Sequence, residues 1–416
     1  MNILSRIIKD SFLLILAETI GKAAVFFIFI IIARKFGSEI FGQFSYAMSF
    51  SLIFFNLASF GMGAMLIREI AINKKNASLY FSNSLFIKII LSILTLCFIF
   101  VTTQLIKKAP EVNFLIYILS FYVMARSFNE FFYVLFKAYE KIKYVTFLRL
   151  FESFILILFL LFLINFNQSV YIISLSFATS SFFALMVASF LIKSRLINFS
   201  IKKDSKIIKS LIKKNIFFGL FFTFIIINFN IGILLTSIFK GDQAAGIYAV
   251  SYNLFFVSTI IIQPLHSVLY PVMSRKISEF KGNNIKIKQL IKKVVANSFV
   301  ILGVGIIAIL SYYYFGDIFI KFLYGQGFKE SFYSLKILAF VIPLWYAFMI
   351  IKTIFFSIGK QSTIFYVLFV GVVVNIASSL LLVPVYSGVG AAISMLLAVI
   401  FLVVVGSIKL IIYYKT

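Results

Sequence analysis

Apolar residues along this chain come in runs long enough to cross a membrane, separated by short polar clusters rich in Lys and Arg. A helix rising 1.5 Å per residue needs roughly 20 mainly apolar residues to cross a hydrocarbon core of roughly 30 Å. That ruler predicts helices over residues 11–33, 43–67, 79–104, 113–136, 144–164 and 170–192. A second set follows over 213–239, 246–272, 295–315, 331–356, 362–383 and 388–412. The first run lacks a small-residue cleavage site and continues into a full span, so it reads as a retained helix rather than a removed signal peptide.

The connections test the count, because the inner loops of a membrane protein carry its Lys and Arg excess. Alternate loops collect 26 cations on one side, from Arg6 and Lys9 to Lys409 and Lys415, against 7 on the other, among them Arg34, Lys107, Lys240 and Lys329. An odd number of missed or invented spans would scramble that alternation. Twelve spans with both termini cytoplasmic are therefore expected.

Composition agrees: 62% of the 416 residues are hydrophobic and 12% are charged, with a mean hydropathy of +1.09. No water-soluble fold hides that much apolar surface behind so little polar surface. The net charge of +26 therefore reads as topology signals and contacts with anionic headgroups of membrane lipids, not as nucleic-acid binding. Cys97 is alone, so there is no intrachain disulfide, and one His with 13 acids leaves no metal-ligand cluster. Nucleotide, nucleophile-elbow and zinc-protease motifs are absent. No loop is much longer than the basic stretch Lys193 to Lys214, which leaves no room for a soluble catalytic domain. The chain reads as a non-enzyme without cofactors, and as a monomer.

That basic stretch divides six spans from six, which suggests a bundle over 1–205 and another over 206–416. The halves share a register at an offset of 204 residues: Gly37, Gly42 and Phe44 in FGSEIFGQFSYA against Gly241, Gly246 and Tyr248 in KGDQAAGIYAVS. An even number of helices per half makes these parallel repeats, related by an axis along the membrane normal. The expected fold class is an all-α integral membrane protein of twelve transmembrane helices, in two six-helix bundles related by a pseudo-twofold.

Six cations fall within or near the spans: Lys22, Lys88, Arg126, Arg149, Lys336 and Lys352. A charge at the bilayer centre costs roughly 2.5 to 3.5 kcal/mol on insertion scales, so such groups face a bundle interior or a wet cavity. Arg149, Lys336 and Lys352 lie near enough to span ends to snorkel instead. Three cations have an acid one turn away, in the pairs Glu18–Lys22, Arg126–Glu130 and Arg149–Glu152. The acids either neutralise the cations or hold them until a phosphate arrives, taking up H⁺ or Na⁺ in the cycle. Lys88 has no acid within a turn, which makes it a stronger candidate for an anion partner if it faces inward. Asn56, Asn129 and Asn253, with Asn228, Asn230 and Asn375, either line a cavity or tie helices together. His266 between Pro264 and Pro271 reads as interfacial, and the prolines as bends.

Five stretches follow in order: ARKFGSEIFGQFSYAMSF from Ala33, GMGAMLIREIA from Gly61, GDQAAGIYAVSYNLF from Gly241 with YPVMSRK from Tyr270, FGDIFIKFLYGQGF from Phe315, and VNIASSLLLVPVYSGVGAAIS from Val374. Together they resemble the polysaccharide flippase family, the O-antigen (Wzx-type) translocases of the multidrug/oligosaccharidyl-lipid/polysaccharide exporter superfamily, which implies a place in a bacterial cytoplasmic (inner) membrane. The resemblance implies two six-helix bundles in a V that alternate between inward-open and outward-open states. Its implied cargo is an undecaprenyl-pyrophosphate-linked oligosaccharide of O-antigen or lipopolysaccharide biosynthesis, driven by H⁺, Na⁺ or membrane potential. The polymerase and chain-length regulator of the same pathway are the implied protein partners. Competing readings are a multidrug cation antiporter of the same superfamily, a lipid II flippase, a membrane glycosyltransferase or polymerase, and a scaffold. Against the first stands the surplus of cations in the spans, and against the second the lack of two additional helices. A glycosyltransferase or polymerase would need a long outer loop or a carboxylate cluster at a membrane face, and neither is present.

Overall fold

The computed structural model describes residues 3–59, 61, 63–72, 74–166, 169–196, 204–260, 262–280 and 283–415. They form thirteen α-helices and two short 3-10 turns, with no strand among the described residues. The helices are α1 (Ile3–Ser59), α2 (Gly63–Ile72), α3 (Ala77–Ile106), α4 (Pro110–Ala138), α5 (Ile142–Phe166), α6 (Val170–Arg195) and α7 (Ser205–Lys240). Then come α8 (Asp242–Ile260), α9 (Ile262–Glu279), α10 (Asn284–Asn297), α11 (Phe299–Leu323), α12 (Ser331–Ser357) and α13 (Gln361–Lys415).

Two of these helices are too long to cross once. The 57 residues of α1 would reach about 86 Å at 1.5 Å per residue, almost three hydrocarbon cores. The helix instead breaks at Gly37, where φ is 79°, a left-handed value that a residue without Cβ adopts at little cost. The 55-residue α13 breaks at Ser387, with φ 55°. Each is thus two spans. Eight stretches qualify as spans on length and composition alone, and two of them, of 47 and 54 residues, contain these kinks. With α4 and the α8–α9 pair added, the spans number twelve, as the loop charges required. Exposed surface fits a lipid solvent: Leu381 is 74% exposed and Phe322 73%.

The helices pack as two compact units, one of Met1–Ile32 with Ala47–Ile226, the other of Ala33–Tyr46 with Ile227–Thr416. The chain therefore changes unit inside α1 and inside α7 and not at the boundary near 205. The cause is local packing: Leu211 of α7 is fully buried in the first unit's core, with Ile207 and Ile208 against the same cluster. Residues 197–203 of the basic stretch, and the side chains of His266, Pro264 and Pro271, lie outside the described residues.

Within the second unit the repeated glycines meet. A Cβ on Gly42 would collide with the Asp242 carbonyl, and one on Gly246 with the Ser38 carbonyl. Gly37 and Gly241 both have positive φ, 79° and 84°, so each reverses the chain just before the contact. The 204-residue register thus marks two copies of one turn, packed backbone to backbone. Arg34 seals the same region by donating to the Phe322 and Leu323 carbonyls at the end of α11, where a cation satisfies orphaned helix carbonyls.

A charged centre in the first unit

Six charged side chains converge inside the first unit. Arg149 on α5 donates through Nη2 to both oxygens of Glu130 on α4, at 2.9 and 3.2 Å, and lies 3.2 Å from Glu18 on α1. Lys22, one turn beyond Glu18, shares the field of Glu18, Glu130, Arg126 and Arg149. Arg126 donates to the Tyr122 hydroxyl at 2.6 Å and feels Glu130 and Glu152. Glu152 itself accepts from Ser181 of α6. Three cations and three carboxylates are therefore held by four helices.

The helix geometry fixes the depth. Arg149 lies seven residues into α5 and Glu130 eight from the end of α4, so both sit roughly 10 to 12 Å inside the Lys- and Arg-rich face. Gly21 lets α1 close on α5: a Cβ there would stand 3.1 Å from Ser153 Oγ, and Ser153 turns its hydroxyl back to the Arg149 carbonyl at 2.9 Å.

The pairing differs from the one expected within each helix. Glu130 pairs with Arg149, 19 residues away, and not with Arg126; Glu152 takes Ser181 and not Arg149. Spacing along a helix shows which groups share a face, but packing of α4 on α5 and α6 decides which charge arrives nearest. Arg149 also does not snorkel, since its side chain is 17% exposed. Two donors at the centre have no partner: Arg149 Nε and the Tyr133 hydroxyl are both buried and unbonded, with the guanidinium 5.7 Å above the Tyr133 ring.

Other candidates lie elsewhere. Lys88 is 0% exposed and its ammonium is committed to Ser127 Oγ and, at 3.2 Å, to the Ala58 carbonyl. It also faces the Phe128 ring at 4.8 Å. Lys88 on α3 thus ties the last turn of α1 to α4, a structural role for its ammonium in this structure. Asn129 donates to the Ser181 carbonyl at 2.9 Å and ties α4 to α6 from a 1% exposed position. Asn56 is half-buried on α1.

In the second unit, Lys336 lies over the rings of Phe332 and Tyr313 at 4.3 and 4.8 Å. Lys352 is 2% exposed and does not snorkel; it faces Phe356 at 5.7 Å. Asn253 keeps a buried amide nitrogen without a partner, while Asn375 donates to Asn228 at 2.9 Å. Tyr122, Tyr133 and Ser181 were not singled out by sequence. Tyr122 carried a signal, being one turn before Arg126; Ser181 carried none.

The twelve-span, two-unit helical fold is similar to those of solved membrane transporters. It superposes on an inward-facing multidrug resistance MATE family transporter of the MOP superfamily with a TM-score of 0.69, at 14% identity over 98% of this chain and 96% of that one. The lipid II flippase MurJ, in an inward closed conformation, gives a TM-score of 0.74 at 14% identity over 97% of this chain and 89% of that one. A MOP superfamily transporter from Pyrococcus furiosus, described as having a binding pocket of reverse polarity, gives 0.68 at 13% identity over 99% and 96%. No curated protein sequence matches the chain. The chain belongs to the polysaccharide biosynthesis protein family, whose model matches residues 7–277. The solved structures that share this fold are those of transporters and of a lipid II flippase.

Proposed function

We propose that this protein flips an undecaprenyl-pyrophosphate-linked oligosaccharide, the repeat unit of an O-antigen or related surface polysaccharide, from the cytoplasmic to the outer leaflet by alternating access. The observation that carries the reading is the pair of unfilled donors at the charged centre. Arg149 Nε and Tyr133 Oη are buried, unbonded and adjacent to Lys22 and Arg126, the arrangement a pyrophosphate needs. Family membership and the fold shared with a lipid II flippase support the same reading. Glu18, Glu130 and Glu152 keep the cations neutralised in the unloaded state. Protonation or Na⁺ binding at these carboxylates would free the cations for the headgroup, which couples transport to an ion gradient or the membrane potential.

One observation favours a second reading. The centre holds as many carboxylates as cations, and Glu18 and Glu130, at 32% and 35%, are more exposed than Arg149 at 17%. A cationic drug exchanged for H⁺ or Na⁺ would meet the carboxylates first.

Reconstituted liposomes decide between them. Flipping of a short-chain polyprenyl-pyrophosphate oligosaccharide, lost in folded Arg126→Ala or Arg149→Ala, supports the flippase. Wild-type protein that flips no glycan type tested but moves a cationic dye establishes the antiporter.

A further inference from the structure

Helix α10 differs from everything around it. It lies on the Lys- and Arg-rich side of the membrane between the eighth and ninth spans, where the first repeat has only the 3-10 turn Lys74–Asn76. Its sequence, NIKIKQLIKKVVAN, is amphipathic and begins at an Asn283 cap whose side chain accepts from the Lys286 amide at 3.1 Å. Ile287, Ile291 and Val294 form one stripe, packed on Met273 of α9 and on Ile350 and Ile354 of α12. That stripe anchors the helix to the second unit and fixes the direction of its other faces.

The outward stripes carry Lys286 with Lys293, and Lys292 with the half-buried Lys288, whose ammonium lies 5.7 Å over the Tyr414 ring. No acidic residue occurs between Glu279 and Asp317, and Glu279 is itself 3.7 Å from Arg275. Lys288 and Lys292 share their stripe with Ile285 and Val295, which are 70% and 42% exposed, and the next residues, Phe299 and Val300, are 69% and 76% exposed. Loop charge alone sets topology without any such pattern. Mixed ammonium and bare aliphatic groups on one face suit the boundary where headgroups meet acyl chains. A soluble polyanion would leave those aliphatic groups in water.

We infer that α10 is an anionic-lipid binding helix, whose lysines gather phospholipid headgroups of net negative charge at the rim of the second unit. The site is independent of the transported cargo. Each lysine near an anionic surface contributes about a fivefold factor in binding, so loss of two should cut lipid selectivity by an order of magnitude.

The test extracts full-length protein from membranes of phosphatidylglycerol mixed equally with phosphatidylcholine, and counts retained lipids by native mass spectrometry. Wild type should keep phosphatidylglycerol over phosphatidylcholine by at least tenfold at low salt, and lose most of that preference in 0.5 M NaCl (about a 4 Å Debye length). The quadruple variant Lys286→Gln, Lys288→Gln, Lys292→Gln, Lys293→Gln should lose the preference. The quadruple Arg variant and the opposite-side Lys107→Gln, Lys108→Gln control should keep it. Equal retention of both lipids by wild type, or an unchanged preference in the quadruple Gln variant, overturns the inference. Should that variant fail to fold, the wild-type salt titration and the Arg variant still decide.

Discussion

Arg149 stands between Glu130 at 2.9 Å and Glu18 at 3.2 Å, so one guanidinium on α5 joins α4 to α1 through two carboxylates. The three side chains are only partly exposed, and an uncompensated charge there is expensive. Glu130→Gln should destabilise the protein by about 1 to 3 kcal/mol, because Arg149 keeps its charge and loses its bidentate partner. Glu130→Gln combined with Arg149→Gln should recover part of that loss. Thermal unfolding of the single and double variants in one detergent checks both statements. A double variant no more stable than Glu130→Gln alone would contradict them.

Lys88 separates structure from transport. Its ammonium serves the Ala58 carbonyl and Ser127, so Lys88→Met should lower the unfolding temperature while the folded fraction flips substrate at the wild-type rate. Lys88→Met with Ser127→Ala should be milder than the single change, since only the Ala58 carbonyl then loses the ammonium and the Ser127 hydroxyl is not left facing a methyl group. Flipping per folded molecule, measured beside the melting curve, reads this directly.

Gly42 and Gly246 allow no side chain. An added Cβ would meet backbone oxygen rather than a flexible side chain, so Gly42→Ala and Gly246→Ala should each cost about 1 to 3 kcal/mol or more through overpacking. Gly303→Ala, with nothing within 4 Å, should be neutral or mildly stabilising. Yields of folded protein and unfolding temperatures for the three variants give the comparison.

Topology is checked by labelling. In a Cys97→Ser background, Lys108→Cys and Lys329→Cys should react with an impermeant maleimide on intact cells, and Lys286→Cys and Lys360→Cys only after lysis. Reaction of Lys360→Cys from outside would break the twelve-span order.

Tyr122 positions Arg126 through the 2.6 Å hydrogen bond. For the pyrophosphate-linked substrate proposed above, Tyr122→Phe should raise KM several-fold with kcat little changed, while Arg126→Lys should lower both binding and flipping because the planar fork is lost. Initial flipping rates over a range of substrate concentration separate the two effects.

Much of the fold was legible in the chain because membrane helices answer to simple rules. Every backbone group in lipid must be bonded within its own helix, so span length is written directly in the apolar runs. The glycine register at 204 residues was legible for a similar reason, since Gly37 and Gly241 need positive φ and Gly42 and Gly246 need backbone contact. The convergence of Glu18, Lys22, Arg126, Glu130, Arg149 and Glu152 was foreshadowed by charges placed where lipid forbids them.

What the sequence by itself determined, then, is the number of spans, their alternation, the repeat and the charged residues of the interior. Tertiary structure alone decided that Glu130 answers Arg149 instead of Arg126, that Lys88 is consumed by the end of α1, and that residues 33–46 and 206–226 pack outside their own sequence halves. The physical reason is range. Hydropathy and helix periodicity act within one segment, whereas the choice of a charge's partner depends on which helices pack side by side, and no local pattern carries that information.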